Sequence, residues 1–126
     1  MQVSKKPIGG ASAQGLPYSK AYRAGDFVFV SGQVGFDESG RLVEGGIEDQ
    51  TRQVMGNIDT VLKEVGCSLD DVVKVTVWLD DSRDFGRFNA TYAEFFPGDA
   101  PARSTVHAEL MIDAKIEVEA IAYRPE

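Results

Sequence analysis

The sequence predicts an α+β domain, one mixed sheet with two helices packed on a single face, and three features of the 126 residues predict it. Apolar residues alternate with period two in four or five short runs. In two longer runs they recur instead at three- and four-residue spacing. The runs fall in the order ββ-α-β-α-ββ, and helices set between strands in this way are buried by laying both against one sheet.

Each element has its own local reason. Residues 1–16 are rich in Gly, Ser and Ala and carry no apolar period, so they are assigned no structure and treated as a lead-in. Tyr18 to Arg23 and Phe27 to Val34 are β-prone runs joined by Ala24-Gly25-Asp26, which has the length and chemistry of a hairpin turn. A second turn at Asp37-Glu38-Ser39-Gly40 leads to Gly45-Gly46. From Ile47 the period becomes helical, with Ile47, Val54, Ile58, Val61, Leu62 and Val65 on one face and Asp49, Arg52, Gln53, Asp59 and Lys63 away from it. Glu48 and Asp49 suit the positive end of that helix, and Gly66 suits a left-handed stop.

Val73, Val75, Val77 and Leu79 then alternate with Lys74, Thr76 and Trp78, which is a strand over Val72 to Leu79. Ser82-Arg83-Asp84 supplies caps for a second helix carrying Phe85, Phe88, Tyr92, Phe95 and Phe96, ended by Pro97-Gly98. That aromatic stripe is read as core. Strands over about Ser104 to Leu110 and Ile116 to Tyr123 complete the order. Because Thr76 and Trp78 lie opposite Val75 and Val77, the helix-free face of the sheet also carries apolar area. A partner subunit is the simplest cover for it.

Composition narrows the function classes. One domain spanning residues 1–126 accommodates the chain, and no stretch approaches the ~20 apolar residues of a membrane span, so no membrane partner is expected. A net charge of −7, with no Lys or Arg block, repels a phosphate backbone and makes nucleic acid an unexpected partner. The N-terminal residues have no apolar secretory core, and the single cysteine, Cys67, has no thiol to pair with; both point to a cytoplasmic location. The acid pairs Asp37-Glu38 and Asp70-Asp71 lack His or Cys companions, and no metal or organic cofactor is expected. His107, the sole histidine, has no identifiable nucleophile and orienting acid, and is read as structural or surface.

Arg103 is the leading candidate for chemistry. Pro101-Ala102 places it at the start of a strand, where its planar donors can match both oxygens of a carboxylate as a lysine ammonium cannot. Seen alone, such an arginine is more often a surface ion-pair partner. Glu117 and Glu119 share a strand face and, taken alone, could simply be solvated. Tyr18 and Ser31 taken alone are ordinary strand residues, and Asn89 is an ordinary helix amide.

The pattern as a whole resembles the reactive intermediate deaminase (Rid) family. The likeness runs over roughly residues 16–123 through Pro17-Tyr18-Ser19, Phe29-Val30-Ser31-Gly32-Gln33, Gln50-Thr51-Arg52-Gln53-Val54, Asp70 to Val77, Tyr92-Ala93-Glu94-Phe95-Phe96, Pro101-Ala102-Arg103-Ser104 and Glu117-Val118-Glu119-Ala120. The resemblance implies a chorismate-mutase-like (bacillus type) α+β fold and a homotrimer with ligand clefts between subunits. It also implies hydrolytic deamination of small enamines or imines such as 2-aminoacrylate to 2-keto acids and ammonia, an activity that protects pyridoxal-phosphate enzymes from damage. By position in the motifs, Arg103 would grip the substrate carboxylate, Glu117 would hold the attacking water, and Tyr18, Ser31, Gly32 and Asn89 would line the cleft. Thr105 stands where many members have Cys.

Leu16 and Lys20 replace the Gly and Gln that usually flank Pro-Tyr-Ser, and Leu110-Met111-Ile112-Asp113 replaces a Leu-Pro turn. The first two are expected near the cleft entrance. Two alternatives remain beside the leading one: a specialised deaminase acting on an aminomuconate-like intermediate, and a non-catalytic binder of 2-keto acids. The ribonuclease role attached to some relatives fits poorly with the acidic charge.

Overall fold

A computed structural model describes residues 5–11 and 15–125. It has a six-stranded sheet and two α-helices. In chain order the elements are β1 (Lys5–Ala11), β2 (Ser19–Ala24), β3 (Phe27–Gln33), α1 (Ile47–Lys63), β4 (Val72–Leu79), α2 (Phe85–Ala93), β5 (Ala102–His107) and β6 (Ile116–Tyr123). The sheet order is β1-β2-β3-β6-β4-β5, with β4 and β5 parallel and every other neighbour antiparallel. The α+β architecture with a mixed sheet follows the sequence expectation.

The first strand corrects that expectation. Residues 5–11, read as structureless lead-in, pair with β2 from Lys5↔Ala24 to Ala11↔Ser19, with an irregularity between Ile8 and Ala11. Gly9-Gly10 erases any side-chain alternation there, and Pro7 is tolerable because β1 is an edge strand that needs no donor at every position. The rest of the expected lead-in, at residues 1–4 and 12–14, lies outside the described residues. Two boundaries also shift. α2 stops at Ala93 rather than at Pro97, and β5 stops at His107 rather than at Leu110.

Two glycines act as the spacing predicted. Gly25 has φ +59 at the first position of the two-residue β2–β3 turn, where a side chain would be strained. Gly66 has φ +78, and its N–H and that of Cys67 bond the Lys63 and Leu62 carbonyls, closing α1 in a Schellman turn.

The core lies between the helices and one face of the sheet. Val54, Met55, Ile58 and Leu62 of α1 and Phe88 of α2 pack over Val28, Val75, Val77, Ile116, Val118 and Ala122, all essentially inaccessible. Among the described residues no helix lies over the opposite face. Tyr22, Phe27, Phe29, Val106 and Tyr123 are each 36–45 % exposed there, and the Phe27 ring stands 5.1 Å from that of Tyr123. Among the described residues no helix is long and apolar enough to cross a membrane.

Candidate active site

Strand register places the predicted site residues in two groups. Arg103 and Thr105 of β5 pair with Val75 and Val77 of β4, whose side chains are buried beneath the helices. Paired residues of neighbouring strands point to the same side, so Arg103 and Thr105 lie on the helix-covered face, at its open edge beside α2. Glu117 of β6 pairs instead with Trp78, one residue out of phase with Val77, and lies on the helix-free face.

The first group is built around the Arg103 guanidinium. Its Nη2 donates to the Asn89 side-chain oxygen at 2.7 Å. Its central carbon sits 4.8 Å from the ring centre of Tyr92, 5.1 Å from Phe88 and 6.0 Å from Phe85. Asn89 takes one of five guanidinium N–H groups, which leaves one two-pronged edge whole for a carboxylate. Phe88 and Tyr92 are core residues, as the stripe predicted, while Phe85 is 45 % exposed. Their contact with Arg103 was not read from the sequence, although positions 85, 88, 89 and 92 share one helical face. Burial pushes the Tyr92 phenol up, and the neighbouring Arg103 charge offsets part of that.

The second group is acidic. Glu117 folds over Gly32 so closely that a β-carbon at position 32 would collide with its carboxylate. Burial, and then the charge of Glu119, raise the Glu117 carboxyl above its ordinary range. Ser31 donates to the Ser19 carbonyl at 2.6 Å, tying β3 to β2 beside a shallow hollow lined by Tyr22, Phe29 and Glu119. Tyr18 precedes β2 and is half exposed. A single protomer therefore unites Arg103, Asn89 and Thr105, and separately Ser31, Gly32 and Glu117, but leaves the sheet between the two groups.

The remaining candidates stand apart. His107 ends β5 exposed. Cys67 is buried against Arg23, and burial pushes its thiol up, away from the reactive thiolate. Leu16 is 47 % exposed, and Lys20 pairs with Glu64 just past the end of α1 at 3.3 Å. Among the described residues no three His, Cys, Asp or Glu side chains gather as a metal site would require.

Comparison with known proteins shows the family and the fold. A family model described as Endoribonuclease L-PSP matches residues 11–124. This chain belongs to the Rid family. It is 49% identical over 121 residues to a RutC family protein of Pyrococcus horikoshii, covering 94% of this chain and 90% of that one. The 2-iminobutanoate/2-iminopropanoate deaminase of Mus musculus is 43% identical over 108 residues, covering 84% and 80% of the two chains. The crystal structure of yeast Mmf1 superposes with a TM-score of 0.90 at 36% identity, over 96% of this chain and 99% of that one. The span matched by the family model includes both groups of candidate residues.

Proposed function

We propose that this chain is an enzyme that hydrolyses small 2-imino acids to 2-keto acids and ammonia, with their 2-aminoacrylate-like enamine tautomers as the source of the imines. Mammalian relatives are named for that chemistry on 2-iminobutanoate and 2-iminopropanoate. The observation that carries the reading is the arginine fork fixed by Asn89, which matches the carboxylate such substrates share.

The steps need little machinery. Arg103 holds the carboxylate and fixes the imine carbon. Glu117, raised in pKa and so a stronger base, takes a proton from water as its oxygen adds to that carbon, while the imine nitrogen gains a proton. The carbinolamine hydroxyl proton then passes by way of Glu117 to the amine nitrogen, and the C–N bond breaks as the carbonyl forms and NH3 leaves. One imine and one water give one 2-keto acid and one ammonia. Orientation and proton transfer suffice because the imine carbon is already electrophilic.

Arg103 and Glu117 cannot meet a two- to four-carbon acid together from opposite faces of one sheet. The reading therefore places the site where the β5–α2 edge of one subunit meets the helix-free face of another, in a homotrimer whose interface covers Tyr22, Phe27 and Phe29. The Glu117–Glu119 pair and the net charge of −7 favour a small substrate with one negative charge over a polyanion.

The test is release of 2-keto acid and ammonia from freshly generated 2-iminopropanoate, comparing wild type, Arg103→Ala and buffer alone. Acceleration by the wild type, reduced at least tenfold in the variant, is expected, since truncating one partner of a buried charge pair costs roughly 2–5 kcal/mol. Turnover by Arg103→Ala at the wild-type rate would remove the arginine from the reaction. No acceleration by the wild type would remove the activity itself.

A further inference from the structure

The Arg103 guanidinium rests on a bed of rings, and that bed is outside the roles assigned above. Tyr92 and Phe88 stand 4.8 and 5.1 Å below its central carbon, and they pack on each other with ring centres 5.3 Å apart. Phe96 extends the row, its tilted ring centred 5.0 Å from that of Tyr92. Phe88 is wholly inaccessible and Tyr92 only 5 % exposed, so the rings are held by the core and cannot rotate away when a ligand arrives. The Tyr92 hydroxyl has no hydrogen-bond partner among the described residues, so what Tyr92 offers to Arg103 is its ring face. A long arginine side chain at an edge strand would otherwise sample many rotamers in water.

We infer that Phe88 and Tyr92 are positioning residues: their tilted, mutually packed rings, with Asn89 at one edge, hold the guanidinium so that its free edge is preset for a substrate carboxylate. This deepens the proposed function by assigning how its carboxylate clamp is oriented. The physical reasons are two. An aromatic face attracts a guanidinium most strongly when both are out of water. An arginine already fixed in its binding rotamer loses less side-chain entropy when the carboxylate arrives. The bed acts on binding, because the carboxylate keeps its charge throughout the reaction. It should therefore appear in KM and in product affinity, with kcat little changed.

The experiment titrates 2-oxobutanoate into Tyr92→Leu, Phe88→Leu, Tyr92→Phe and wild-type protein by calorimetry, with circular dichroism to select temperatures at which each is folded. Initial rates on 2-iminobutanoate are measured in parallel. Each leucine variant is expected to raise Kd and KM by roughly three- to thirtyfold, the range that one lost ring-cation contact supports, and to change kcat less than threefold. Tyr92→Phe, which restores the ring, is expected to recover most of the affinity lost in Tyr92→Leu. Wild-type Kd and KM in a folded Tyr92→Leu protein would overturn the inference. So would Tyr92→Phe binding as weakly as Tyr92→Leu, or a wild type that binds no keto acid. Keto acid binding by a wild type that turns over no imine would sink the proposed function alone, and the leucine series would still decide the role of the bed.

Discussion

Replacing Arg103 with lysine keeps a positive charge and removes the planar fork, which separates geometry from charge at the centre of the proposed site. Arg103 gives one N–H to Asn89 at 2.7 Å and retains a whole two-pronged edge. A lysine ammonium is a compact charge on a different stem, and it can neither span two carboxylate oxygens in one plane nor set a planar cation over the Tyr92 and Phe88 rings as Arg103 does. The substitution therefore forfeits about one charge-assisted hydrogen bond, roughly 1.5–3 kcal/mol, and part of a ring contact of about 0.5–2 kcal/mol. Some attraction between opposite charges remains. A net loss of about 2–3 kcal/mol corresponds to a fall of roughly 30–150-fold in kcat/KM. Initial-rate measurements on 2-iminopropanoate, with light scattering to verify the same assembly, give that ratio directly. A lysine variant within threefold of wild type would show that charge alone suffices and would refute the argument from fork geometry.

Three further outcomes are expected. Gly32→Ala should push the Glu117 carboxylate out of its place over the backbone, and since misplacing a reacting group by about 1 Å can cost 10²-fold, kcat should drop at least tenfold while the melting temperature changes little. The acid limb of the kcat/KM profile should lie above the ordinary carboxylate range, because Glu117 must be ionised to act as base and its pKa is raised. Glu119→Gln should move that limb to lower pH by removing the second cause of the shift, and an unmoved limb would assign the titration to another group. Phe29→Glu, which puts a charge on the exposed aromatic face, should convert a particle of about three times the 13.7 kDa chain mass into a monomer by light scattering; an unchanged mass would exclude this face as the interface.

The raised pKa of Glu117 also fixes the direction of a stability effect. A carboxyl whose pKa is higher folded than unfolded holds its proton more tightly in the folded state. Ionising it near neutral pH therefore costs stability, and that cost disappears as pH falls through the folded pKa. Glu117→Gln should accordingly stabilise the protein at neutral pH, lose that advantage in acid, and be inactive at both. This combination is common for a group held in an unfavourable setting for its chemistry.

The sequence by itself determined what depends on neighbours along the chain. Period-two runs at Val72–Leu79 and Ile116–Tyr123 and the helical period from Ile47 fixed those elements, and Gly25 and Gly66 marked backbone positions that other residues enter at a cost. The motifs also supplied the chemical groups, an arginine fork and an acid pair. β1 was not legible, because Gly9-Gly10 carries no alternation and the strand depends on pairing with β2. Nor was the bed beneath Arg103, since α2 and β5 approach each other only in the fold, and an aromatic stripe has the same spacing whether it packs on leucine or on a guanidinium. Only the tertiary structure decided that Val77, and not Trp78, aligns with Thr105 and Val118. That register sets Arg103 and Glu117 on opposite faces of one sheet. Its physical reason is burial: a one-residue slip would turn Val75, Val77, Ile116 and Val118 out of the core, and no hydrogen-bond pattern in the sheet could offset that loss.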